Sequence, residues 1–86
     1  MSSTVWAVPV SAGRPRESHI FRFLKDAPCS VRVVEVRLFS HPFDRVPIDT
    51  RRWEPGSDLA RTAKEISKYI ADSGSAEATI VASDEV

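Results

Sequence analysis

The chain has 86 residues, of which 42% are hydrophobic and 28% charged, with only three glycines. This composition excludes a disordered or collagen-like polymer and leaves room for one core. Its 12 Lys and Arg residues are balanced by 12 Asp and Glu, so no net field draws it to a polyanion such as nucleic acid.

A chain of this size buries only about 60% of the surface its unfolded form exposes. A deep catalytic cavity would take side chains from the core, so a shallow surface site is expected. The charges are unevenly spread: from Met1 to Arg52 nine basic residues face five acidic ones, a net +4 that the remainder balances with −4. Such asymmetry can mark a charged docking face. The single cysteine, Cys29, has no internal disulfide partner, which points to an intracellular, cytoplasmic compartment. The apolar run Val5 to Val10 has no basic segment before it, and no stretch approaches the roughly 20 apolar residues of a membrane span. Neither export nor a membrane partner is expected.

Val5 to Val10 reads as a strand with Trp6, Val8 and Val10 on one apolar face, and Pro9 places it near an edge or strand end. Ser11 to Arg14 is a turn. Pro15 suits a first helical position, and Ile20, Phe23 and Leu24 recur at helical spacing, giving a helix over roughly 15–26 that stops at Ala27-Pro28. Ser30 to Phe39 is valine-rich, with Val34, Val36 and Leu38 alternating against Glu35 and Arg37 as in a half-buried strand. After a loop at His41-Pro42, Val46, Ile48 and Thr50 alternate with Pro47, Asp49 and Arg51, the pattern of a short edge strand. Ser57 or Asp58 caps a second helix whose apolar stripe is Leu59, Ala63, Ile66 and Ile70. Its wet side carries Arg61 with Glu65 and Lys68 with Asp72, and Ser73-Gly74 ends it. Ala78 to Ala82 is a last, β-branched strand, followed by the acidic Asp84-Glu85.

The order βαββαβ predicts a single α+β domain over residues 1–86. The expected form is a ferredoxin-like sandwich with an antiparallel sheet and two helices on one face. The rival is an αββα layout in which the outer strands are poorly paired extensions. A long-range contact between Trp6 and Val81 separates the two.

That order hosts unrelated functions, so side chains have to decide. Val5-Trp6-Ala7-Val8 resembles the aromatic-bearing first strand of the RNA recognition motif, but Arg45 to Arg51 lacks the aromatic and the glycine of its partner strand. Gly13-Arg14-Pro15, opening a helix that leads to Val31 through Arg37, resembles the layout of ACT domains, which implies a small-molecule-sensing regulatory domain. In that family the proline is followed by a glycine whose amide approaches the ligand; here Arg16 follows.

Catalytic constellations are thin. Cys29 and His41 lack an orienting partner and oxyanion donors, and a lone cysteine is usually a small hydrophobe. His19, Cys29 and His41 have no metal-ligand spacing, and three glycines cannot build a phosphate cradle. No catalytic residues, no metal and no cofactor are expected.

What remains is Phe43-Asp44-Arg45 and Arg51-Arg52-Trp53, two aromatics beside three arginines in a segment expected to hold an edge strand. Arginine and tryptophan are enriched at interface hot spots, and an edge strand offers unpaired backbone groups. The other reading is that Trp53 and, more so, Phe43 cover the end of the core while the arginines are solvated. The reading that follows is a non-enzymatic protein-binding module, monomeric or homodimeric, that docks on a larger protein or complex through Arg45, Arg51, Arg52 and Trp53. It would act as an adaptor or as a small inhibitor of the kind mobile elements encode, such as anti-CRISPR proteins. The alternatives are the ACT-like sensor and a weak single-stranded RNA binder.

Overall fold

The structure, a computed structural model, describes residues 5–11, 16–28, 30–41 and 44–84. Arg14, Pro15, Cys29, Phe43 and Glu85, all singled out in the sequence, lie outside the described residues. The elements are β1 (Val5–Ser11), α1 (Glu17–Lys25), β2 (Val33–Phe39), β3 (Asp49–Trp53), α2 (Leu59–Ser73) and β4 (Glu77–Ser83). The βαββαβ order is the one read from the sequence.

The four strands form one antiparallel sheet in the order β1-β4-β2-β3. Trp6 stands opposite Ala82 and Ala7 opposite Val81, so the terminal strands pair with each other and the αββα layout is set aside. The ferredoxin-like placing of the strands is not confirmed. That arrangement puts β1 and β3 in the middle of the sheet, whereas here they are its two edges. The physical reason is in their residues. Pro9 has no N–H to give a second neighbour, and Asp49-Thr50-Arg51-Arg52 carries exposed side chains that a central strand would have to bury. β2 and β4, rich in Val, Ile and Ala, take the interior places instead.

The pairing sets three rows across one face: Trp6, Ala82, Val34 and Trp53; then Val8, Ile80, Val36 and Arg51; then Val10, Ala78, Leu38 and Asp49. Both helices press on this face. α1 contributes Ile20 and Leu24, four residues apart, and α2 contributes Ala63, Ile66 and Ile70, all joined with the strand residues in one buried cluster. The helices also pack on each other. Asp58 caps α2 by accepting the Arg61 N–H at 3.0 Å, and Gly74 ends it with φ 69°, a left-handed conformation that glycine adopts without strain. The expected Arg61 and Glu65 pair forms at 3.5 Å.

On the other face Ala7, Val81, Glu35 and Arg52 form one row and Pro9, Thr79, Arg37 and Thr50 the next. No described helix covers it, and the 2.6 Å ion pair between Glu35 and Arg37 suits a face turned to water. No helix among the described residues is long and apolar enough to cross a membrane.

Candidate functional site

The expected edge strand exists, but it begins three residues later than the alternation of Val46, Ile48 and Thr50 suggested. Pro47 cannot donate to a ladder, and regular pairing starts only at Asp49, opposite Leu38. Ile48 still donates its N–H to the Leu38 carbonyl at 2.7 Å, so Ile48 and Asp49 come together on one residue of β2, as at a bulge. Val46 and Ile48 are left 77% and 57% exposed, the exposed large hydrophobic residues among those described.

Side chains alternate along a strand, so the consecutive arginines separate. Arg51 shares the helix face with Val36, while Arg52 stands on the uncovered face opposite Glu35. Arg45 is exposed in the loop before the strand. Trp53 is only 8% exposed and belongs to the core cluster. Its indole Nε1 donates to Glu65 Oε2 at 3.1 Å, which satisfies the polar atom of a buried aromatic. Structure thus brings Arg51 and Trp53 together and sends Arg52 to the other side of the sheet.

Trp53 instead builds a support for Arg51. The rings of Trp53 and Tyr69 meet edge to face, with centroids 5.5 Å apart and planes at 72°. The Arg51 guanidinium lies 4.9 Å from the Trp53 ring centre and 5.8 Å from that of Tyr69, within the range of cation–π attraction. Tyr69 in turn donates its hydroxyl proton to Asp49 Oδ2 at 2.8 Å, tying α2 to the first residue of β3. Its pKa is pushed up to about 12. Partial burial is the main cause, followed by the Asp49 hydrogen bond and charge, while Arg51 pulls the other way.

Tyr69, Asp49 and Arg51, but not Trp53, line an open cleft of about 470 Å³ between β3 and α2, together with the apolar Leu38 and Ile48 and the charged Glu65, Lys68 and Asp72. Tyr69 and Asp49 carry this geometry, and the sequence reading missed both as site residues. The available signal was the single tyrosine standing three residues from Ile66 on the second helix, one step from the apolar stripe. The cleft is a shallow mixture of apolar surface and opposed charges.

The other sequence candidates are scattered. His19 is exposed on α1 and His41 is exposed after β2. Among the described residues no group of three or more His, Cys, Asp or Glu side chains is placed to hold a metal ion. Trp6 shares the row of Ala82 and Val34 on the helix side of the sheet, not the uncovered face on which bases would stack. Comparison with known protein families, with curated proteins and with solved structures finds no match to this chain.

Proposed function

We propose that this chain is a non-enzymatic protein-binding module that docks on a larger protein or complex by accepting one of its strands along the open edge of β3. One observation carries the reading: the two edges of the sheet differ. β1 holds Pro9 within its paired stretch, which removes a donor from that edge, while β3 contains no proline from Asp49 to Trp53 and has exposed side chains on both faces. Strand addition draws affinity from main-chain hydrogen bonds and specificity from alternate side-chain pockets.

The arginines fit that geometry. A strand laid along β3 meets Arg51 and the cleft on one face and Arg52 on the other, with Arg45 in the loop ahead. Trp53 contributes by holding Arg51 in place. Acting in this way, the module serves as an adaptor or as an inhibitor that occupies an edge of its target.

The test is affinity purification with mass spectrometry, run side by side on the wild-type chain and on Thr50→Pro, which blocks the edge without touching the core. Partners retained by the wild type and lost from the variant are expected. An identical set of partners at equal yield on both would overturn docking through β3.

A further inference from the structure

We propose that the open edge of β3 is self-complementary, and that in the free protein the strand it accepts is β3 of a second copy, paired antiparallel about a two-fold axis at Thr50. This inference rests on the reading of β3 as the docking edge and names the occupant of that edge when no other partner is present.

The argument is one of register. A two-fold axis perpendicular to the sheet pairs residues of like facing, so it must pass midway between one residue of the strand and that residue's own copy. Placed at Asp49, Arg51 or Arg52, it sets that charged residue against its own copy, an apposition that disfavours pairing. Placed at Thr50, it sets Thr50 against Thr50, a favourable cross-strand pair, and puts Asp49 of each chain opposite Arg51 of the other. Both of these opposite-charge pairs lie on the cleft side of the sheet, where Arg51 is already held by the rings of Trp53 and Tyr69.

The ladder phase agrees. Leu38 turns its carbonyl to β3, where it receives the Ile48 N–H, so Asp49, Arg51 and Trp53 direct their backbone groups to β2. Strand alternation then turns the N–H and C=O groups of Thr50 and Arg52 outward to the open edge. Thr50 opposite Thr50 becomes a hydrogen-bonded pair, and Asp49 opposite Arg51 becomes the non-hydrogen-bonded kind, whose side chains stand closer together. The outcome is one continuous sheet of eight strands with the β3 edges covered and the proline-bearing β1 strands outermost.

Sedimentation equilibrium of the wild-type chain, Asp49→Arg, Arg51→Asp and a mixture of the two variants tests this. The wild type is expected to dimerise, and each variant alone to weaken the dimer by about 30-fold, because both Asp–Arg pairs become like-charge pairs. The equimolar mixture should recover dimer formation, since an Asp49→Arg chain presents two arginines to the two aspartates of an Arg51→Asp chain. A wild type that stays monomeric at hundreds of micromolar, or a dimer that neither variant weakens, overturns the proposal. Hydrogen exchange of the wild type stands independently of how the variants fold: the Thr50 and Arg52 amides should exchange more slowly as concentration rises. Equal exchange at low and high concentration overturns it. Failure of these tests leaves docking on a larger protein through β3 standing, whereas loss of that docking with an intact dimer would overturn the functional reading alone.

Discussion

The Trp53 indole N–H and the Glu65 carboxylate meet at 3.1 Å across the gap between β3 and α2, which makes Trp53 a satisfied core residue. Trp6 is the contrast: its Nε1 is also buried and has no acceptor among the described residues. Trp53→Ala should therefore cost about 3 to 5 kcal/mol of folding free energy. Trp53→Phe should cost about 1 to 3 kcal/mol, chiefly because the core loses volume, while the exposed Glu65 turns to water and keeps Arg61. Trp6→Phe, which deletes an unpaired donor, should cost less than Trp53→Phe. Urea denaturation of the three variants checks the order, and a Trp53→Phe variant as stable as the wild type would contradict it.

Tyr69 is the chain's single tyrosine, so its ionisation can be followed by absorbance without interference. It should titrate near 12 in the folded protein, compared with about 10 in an unfolded chain. The folded state then holds the proton more tightly. The stabilisation is fully present below about pH 10 and is lost as pH rises from there through about 12. Asp49→Asn, which removes the charge, should move the titration downward. A midpoint of 10 in the native wild-type protein would show that the link between α2 and β3 does not form in solution.

Ile66 and Val36 are fully buried on opposite sides of the core, one on α2 and one on β2. Ile66→Ala should destabilise by about 2 to 4 kcal/mol and Val36→Ala by about 1.5 to 3 kcal/mol. Lys64→Ala, on the exposed side of α2, should change stability by less than about 0.5 kcal/mol. Equal denaturation midpoints for Ile66→Ala and Lys64→Ala would mean that the helix is rotated from the position described.

The two arginines of β3 should behave differently because they stand on opposite faces. Arg52→Glu should leave folding nearly unchanged. Arg51→Glu should cost about 0.5 to 1 kcal/mol, since its cation–π contacts disappear and a carboxylate is set near Asp49. Combined, the two changes should weaken the proposed docking on a larger protein by several kcal/mol, where that protein meets the arginines with an acidic patch and like-charge repulsion replaces the lost contacts. Binding at wild-type affinity by the folded double variant would remove the β3 arginines from the interface. If instead the wild type binds single-stranded RNA with a steep salt dependence, the RNA alternative gains over the protein one.

Much of this protein was legible without coordinates. The apolar stripe at Leu59, Ala63, Ile66 and Ile70 and the alternation at Val34, Val36 and Leu38 are local periodicities, and a side chain's face follows directly from them. The caps of the second helix are equally local, because Asp58 and Gly74 act on backbone groups within a few residues. Even the sheet edges were written in the chain. Pro9 and the charged run from Asp49 to Arg52 each speak for an edge, and taken together they already oppose a ferredoxin-like order, which needs those two strands in the centre. Tertiary structure decided the rest. Whether Trp53 was core or interface depended on Glu65 and Tyr69 arriving from a helix that follows it in the chain, and no spacing within 44–54 encodes that meeting. That Arg51 and Arg52 part onto two faces follows from strand alternation alone, but which of them shares the helix face follows from where regular pairing begins. That start depends on the bulge at Ile48 and Asp49 against Leu38, a contact between two strands that neither strand's own pattern contains.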